Sequence, residues 1–120
     1  MQAQLAMDAA SLAAQTILEC SGEIYRAEET AIRMCEAFGL SKAGFICFPT
    51  DFALHPLTDA GQVLTRIKRV KERSIQLQTL DDVNSISRAS VEGRKDAAQA
   101  LSSLRALREA HRILKPGGRV

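Results

Sequence analysis

The stretch KAGFICFPTDFALHPLTDAGQVLTRIKRV, residues 42–70, decides the fold, because short apolar runs and turn residues replace a helical pattern there. The first run, residues 43–48, is aromatic and apolar and stops at Pro49, which favours a strand over a helix. Residues 52–55 are a second strand candidate, and Pro56 is expected to end it. Two short strands are therefore predicted in succession.

A third strand candidate covers residues 63–70 and follows turn residues at 58–61. Alternate side chains of a strand point to opposite faces of the sheet. One predicted face carries Val63, Thr65 and Ile67, and the other carries Leu64, Arg66 and Lys68. Three consecutive strands with short connections predict an antiparallel meander with one side facing water.

Two helices are predicted before this stretch. Residues 4–20 are rich in alanine and repeat apolar side chains at three- and four-residue steps, so a neighbouring helix can approach closely. Ser21 and Gly22 break the pattern. A second helical period covers residues 24–38, and Gly39 stands where a C-terminal cap is expected.

Two further helices are predicted after it. Thr79 and Asp82 have the spacing of a capping box for a helix that begins after Leu77 and ends near Gly93. The last helix is predicted over residues 94–114. Its apolar stripe is expected to lie in the core or, alternatively, to meet a partner helix; it consists of Ala97, Ala100, Leu104, Leu107, His111 and Leu114.

Length and composition indicate one α+β domain over residues 1–120, with the order two helices, three-stranded antiparallel sheet, two helices. The 120 residues are 46% hydrophobic and 25% charged, which is typical of a globular chain. The longest apolar run, residues 45–48, is far below the roughly 18 residues that a membrane span needs. The first residues lack a secretory signal, so we expect a cytosolic setting.

The net charge of +2 hides an uneven distribution. Residues 1–61 carry three basic and eight acidic side chains, for a charge of −5, whereas residues 62–120 carry thirteen basic and six acidic ones, for +7. The two halves can attract each other within one fold, or the basic half can attract an anionic partner.

Catalytic, metal and nucleic-acid sites are not favoured by the sequence. Cys47, Asp51 and His55 are close in sequence, but no nucleophile elbow accompanies them, and we predict no enzymatic activity. Cys20 and Cys35, like Cys47, are predicted to be buried, reduced thiols among apolar neighbours. Neither a metal site nor another cofactor is expected, and the low aromatic content, 4%, offers no stacking platform for nucleic acid.

The densest polar group of the first half is the segment at residues 22–30. On a helix Tyr25, Glu28 and Glu29 share a face, and Arg26 has Glu29 and Thr30 at three- and four-residue spacing. The group could hold a cation or a polar ligand, or it could be a set of surface ion pairs.

Four motifs in this order resemble the N-terminal domain of the threonine/serine exporter family. They are Gly-Glu-Ile-Tyr-Arg-x-Glu-Glu-Thr at 22–30, Phe-Pro-Thr at 48–50, and Thr-Arg-Ile-Lys-Arg-Val at 65–70 followed by Asn84-x-x-Ser87-Arg88. The similarity covers about residues 5–110. The family pattern falls on Glu23, Tyr25, Arg26, Glu28, Pro49, Thr50, Arg66, Arg69, Asn84 and Arg88.

The resemblance implies a domain at the cytoplasmic face of the inner membrane that serves an exporter of threonine, serine or a small organic acid. Its implied partner is a membrane transport domain, in cis or as a separate subunit, and a homo-oligomer is a further candidate assembly. In the family a membrane helix follows soon after the segment that matches residues 101–114, so we expect either a truncated domain or a stand-alone protein. The alternative is a binding module that docks a partner helix or an anionic membrane through its basic half.

The opposite net charges of the two halves of the chain add a hypothesis about a polar cluster. We expect Glu23, Tyr25, Arg26 and Glu28 of the second helix to meet Arg66 or Arg69 of the third strand, because their charges are complementary. Thr50, Asn84 and Arg88 complete the candidate polar cluster, which has no predicted catalytic role.

Overall fold

A computed structural model describes the backbone of residues 2–71 and 76–114 and the surroundings of the side chains at 3–71 and 76–110. The elements follow the chain in the order α1 Gln2–Cys20, α2 Ile24–Ala37, β1 Ser41–Cys47, β2 Asp51–Leu57, β3 Arg66–Arg69, α3 Leu77–Val91 and α4 Ala97–Leu114. The sheet is antiparallel with strand order β1-β2-β3. The predicted α+β class and element order are confirmed.

Helix α1 lies at the centre of the domain and contacts α2, α3, α4 and β3. Its small side chains make this possible, because alanine lets neighbouring helices approach closely. The fully buried residues of α1 include five alanines as well as larger side chains: Ala6, Met7, Ala9, Ala10, Ser11, Ala13, Ala14, Ile17 and Leu18. One core therefore joins the helices to one face of the sheet.

The predicted helix ends are confirmed at three glycines. Gly22, Gly39 and Gly93 follow α1, α2 and α3 and have φ angles of 73°, 95° and 82°. A side chain is strained at such angles, so glycine allows the chain to leave each helix at these points.

The prediction that Pro56 ends the second strand is wrong. Pro56 is buried inside the central strand β2, where a proline is unusual because it lacks the N–H donor of the ladder. The register of β1 shifts opposite it: Ser41 pairs with Leu57 and Gly44 with His55, so that two residues of β1 face one of β2. The missing donor, however, lies on the other side of β2, because the Pro56 carbonyl accepts the Leu64 N–H at 3.0 Å and Leu64 precedes the ladder of β3.

The third strand is shorter than predicted. Its ladder covers Arg66–Arg69, while Val63 forms only an isolated bridge to Leu57 and the Val70 amide donates to the Thr50 carbonyl at 2.9 Å. The turn prediction for residues 58–61 is confirmed by Gly61 N–H donating to Thr58 O at 2.9 Å.

The capping box predicted at Thr79 and Asp82 does not form. Helix α3 has Gln76 at its N-cap position, and Thr79 lies buried within the first turn. A reciprocal box occurs instead before α4, where Gln99 N–H donates to Asp96 Oδ1 at 2.8 Å and Asp96 N–H donates to Gln99 Oε1 at 2.9 Å. Helix α4 consequently begins three residues later than predicted.

The apolar stripe of α4 faces the core as far as its side chains are described. Ala97, Ala100 and Leu104 are buried and Leu107 packs against them. The remaining stripe residues, His111 and Leu114, and the predicted helix stop at 115–118 lie outside the described side chains.

Candidate functional site

Strand β3 directs its charged face, rather than its apolar face, towards the helices. Arg66 and Lys68 are half-buried, whereas Ile67 and Arg69 are exposed. The alternation predicted from the sequence is present, but burial of charge needs compensation by polar partners. Those partners come from α1.

Helix α1 carries a polar stripe opposite its alanine face. Gln4, Asp8, Gln15 and Glu19 are separated by four, seven and four residues, which places them along one side of a helix. The Arg66 guanidinium donates to the Asp8 carboxylate and, through Nη2, to Gln4 Oε1 at 2.9 Å. Gln15 Nε2 donates to the Arg69 carbonyl at 2.8 Å. Strand β3 is thus bound to the polar side of α1 through Arg66 and through the Arg69 carbonyl.

A second ion pair involves the polar side of α1 near the C-terminal end of the helix. Arg108 of α4 places its Nη1 2.9 Å from Glu19 Oε1 and 2.7 Å from Thr16 Oγ1. Both charged side chains are less than one-third exposed, so water screens them less than a surface pair. These contacts join α1 to α4 as the Arg66 contacts join it to β3.

Lys68 belongs to the same group but forms no ion pair with any described residue. Burial lowers the pKa of its ammonium group, the guanidinium groups of Arg66 and Arg108 lower it further, and Asp8 and Glu19 oppose them. Three cations therefore share this region with two carboxylates. We call Asp8, Glu19, Arg66, Lys68 and Arg108 the charged stripe; its excess positive charge favours an anionic group over a cationic one.

The residues predicted on α2 lie at its exposed start. Arg26 Nε is 2.7 Å from Glu23 Oε1, and both side chains are about half exposed. Tyr25 is 77% exposed. Arg26 therefore pairs with Glu23 rather than with Glu29 as the spacing allowed; Glu29 instead pairs with Arg33 at 2.8 Å.

The prediction that this α2 group contacts Arg66 is wrong. Arg66 bonds to Asp8 and Gln4, and Arg69 is exposed on the opposite face of β3. Charge complementarity between the first half of the chain and β3 is present, but the acidic partner comes from α1.

The other predicted site residues lie on separate elements. Thr50 is exposed between β1 and β2, Asn84 is half-buried in α3, and Arg88 is exposed near the end of α3. No hydrogen bond or ion pair between described residues joins these side chains to the α2 group or to the charged stripe. Their joint role as a site stays a prediction.

The thiol and imidazole near the β1–β2 turn do not face each other. Cys47 is opposite Phe52 on the helix-facing side of the sheet, whereas His55 is opposite Gly44 on the outer side. They cannot act as a nucleophile and base pair in this arrangement. Burial raises the pKa of Cys20 to about 11 and of Cys35 to about 12, so both thiols are protonated at neutral pH.

A metal-ligand cluster and a membrane-spanning helix are both absent from the described part of the chain. Among those residues no cluster of three or more His, Cys, Asp or Glu side chains has a geometry suited to a metal ion. None of the helices there combines the length and the hydropathy that crossing a bilayer requires.

Asp8, Glu19 and Arg108 were not predicted as site residues. The spacing of the polar residues in this alanine-rich helix indicates them, because it predicts one polar face of α1. That face either contacts solvent or forms ion pairs with other elements. The choice between those two outcomes needed the positions of β3 and α4, because the partners are 58 and 89 residues apart in sequence.

Comparison with known protein families places the chain in a family. Residues 8–116 match the family described as "Putative threonine/serine exporter". The matched range contains nearly the whole described domain, including the charged stripe. No curated protein and no solved structure matches the chain.

Proposed function

Because this chain belongs to the threonine/serine exporter family, we propose that it is an accessory or regulatory domain for export of threonine, serine or a small organic acid. In this proposal it works at the cytoplasmic face of the membrane and has no enzymatic activity of its own. The solute crosses through a transport unit that is either part of the same polypeptide or a separate subunit.

The observation that carries the proposal is the extent of the family match. It covers residues 8–116, and these residues build one core in which α1 contacts every other helix and β3. The family relationship therefore concerns the folded α+β domain itself. The separation of Cys47 from His55 across the sheet supports a non-enzymatic role.

Efflux from intact cells tests this function. The chain is deleted in its native cell, which is then loaded with threonine- or serine-containing dipeptides, and the appearance of each amino acid outside is followed. We expect several-fold slower efflux, restored by a plasmid copy and equally by the Cys47→Ser variant. Unchanged efflux of threonine, serine and small dicarboxylates after deletion would refute the proposal.

The binding-module alternative receives less support from the charge distribution. Arg66 and Arg108, two cations of the basic half, are neutralised by Asp8 and Glu19 rather than presented to a membrane. Arg69, Lys71 and Arg105 remain exposed. Salt-sensitive co-sedimentation of the full chain with anionic vesicles, lost when these three are changed to glutamine, would favour that alternative.

A further inference from the structure

The outer face of the sheet is apolar at its centre. Along β2, Phe52, Leu54 and Pro56 are buried against the helices, so the alternate residues point outwards. Ile46, Ala53 and Ile67 stand side by side in register across the three strands on this outer face. We call this set of three the outer row.

The described elements leave the outer row uncovered. Ile46 is 48% exposed and Ile67 is 64% exposed, and Val63, on the same face beside Leu57, is 60% exposed. The described helices contact the sheet from its other side through Phe52 and Leu54. Neighbouring exposed apolar side chains on one sheet face are typical of an interaction surface.

Opposite charges border the outer row on the same face. Asp51 and Arg69 are directly opposite each other in the β2–β3 register, but no ion pair joins them, or joins either to another described residue. Asp51 is half-buried and Arg69 is exposed. Among the described residues both charges are therefore left for a partner chain that presents the complementary pair.

We propose that this face binds a second copy of the chain in a symmetric dimer. The two-fold axis lies in front of the outer face, above the gap between β2 and β3 and parallel to both strands. It brings Asp51 of each copy to Arg69 of the other. The same operation places each Ile67 over the small Ala53 of the other copy. Two reciprocal ion pairs then lie side by side at one end of an apolar contact, and the same surface of both copies is used, as an isologous interface requires.

A second copy fits this face better than a membrane does. An anionic lipid surface would attract Arg69 but repel Asp51, whereas a two-fold axis uses both charges twice. The dimer is independent of the proposed export function, because it depends only on the face that the sheet turns away from the helices.

The test measures the association of the purified full chain by sedimentation equilibrium. We expect wild type to dimerise and Ile67→Lys to raise the dissociation constant at least about tenfold. Leu77→Lys is the matched control: Leu77 is 69% exposed but lies on α3, so this change should leave association unaltered. Thermal unfolding shows whether each variant is folded.

A mixing experiment then separates pairing between copies from pairing within one copy. Asp51→Arg and Arg69→Asp each create like charges, so each variant alone should be mostly monomeric. Mixed together, one variant supplies two cations and the other two anions, and the heterodimer should form. Intramolecular pairing cannot explain that rescue, because each chain keeps its own like charges.

Three outcomes would overturn the proposal. They are a wild-type chain that stays monomeric up to its solubility limit, a dimer that Ile67→Lys leaves intact, and a mixture that associates no better than its components. Binding of the wild-type monomer to vesicles through Ile67 would instead assign this face to a membrane.

Discussion

The Arg66 guanidinium on β3 bonds to the Asp8 carboxylate on α1, 58 residues away in sequence, and so holds the edge strand of the sheet against the central helix. Arg66 also bonds to Gln4 at 2.9 Å. These side-chain contacts add to the short hydrogen-bond ladder that joins the four-residue strand to β2.

Removal of this contact is expected to destabilise the domain. Arg66→Ala should lower the free energy of unfolding by about 1–3 kcal/mol, because a partly buried carboxylate loses its charged hydrogen-bond donor. Arg26→Ala, which removes an exposed pair on α2, should cost less than about 0.5 kcal/mol. Urea denaturation measures both changes.

A charge exchange extends this prediction. Asp8→Arg combined with Arg66→Asp should recover part of the stability that each single change removes, which a double-mutant cycle detects. Strictly additive losses would mean that the two side chains do not interact in solution.

Lys68 is expected to destabilise the native state at neutral pH, since burial and two nearby guanidinium groups disfavour its charge. Lys68→Met should therefore raise the free energy of unfolding at pH 7, by less than about 1 kcal/mol for such a partly exposed group. The folded-state pKa of Lys68 is below its ordinary value of 10.5. At pH values between the two, the unfolded chain therefore binds more protons than the folded chain does. The contribution of Lys68 to wild-type stability should rise with pH there, so the advantage of methionine should shrink.

Lys71→Met is the control for that change, because Lys71 is exposed just beyond β3. It should alter stability little at any pH. An equal effect of the two substitutions would show that general charge reduction, rather than the position of Lys68, is responsible.

Gly44 has a specific steric role beside His55. A Cβ atom at position 44 would lie 2.0 Å from His55 Cε1, so the imidazole must move to admit it. Gly44→Ala should cost about 1 kcal/mol in wild type. In a His55→Ala background the same change should be neutral or stabilising, because alanine suits a strand better than glycine does. Thermal unfolding of the four proteins tests this sign reversal, and an unchanged sign would contradict it.

The buried thiols should be unreactive in the folded protein. At pH 8, iodoacetamide should label native Cys20 about a hundredfold more slowly than the unfolded chain, because its pKa rises from 9.0 to about 11. Cys35, with a pKa of about 12, should be slower still. Cys47, which is half-buried, is the internal reference. Equal labelling of all three would contradict the described burial.

The same pKa shifts predict alkaline destabilisation. Unfolded thiols ionise near 9.0 whereas native Cys20 and Cys35 retain their protons, so stability is fully present below pH 9 and falls as pH rises towards 11 to 12. Cys35→Ala should show a shallower fall over that range, whatever its stability at pH 7. Urea titrations at several pH values measure the slope.

Local patterns were sufficient for most of the fold. Helical spacing predicted α1 and α2, and the glycines after them predicted the ends, because a cap depends on a few adjacent residues. The position of Pro56 inside β2 could not be predicted in this way. The absent N–H of Pro56 is directed towards Leu64, before the ladder of β3 begins at Arg66, so the proline is tolerated because of where the neighbouring strand starts.

The sequence by itself determined the element order, the two faces of β3 and the excess of charge in each half, since periodicity and composition are local properties. Only the tertiary structure decided that Arg66 and Lys68 face inwards and Ile67 outwards. That choice depends on the polar side of α1, where Asp8 and Glu19 can compensate charges that would otherwise be costly to bury. Long-range pairing of half-buried charges therefore outweighed the tendency of an isoleucine to face the core.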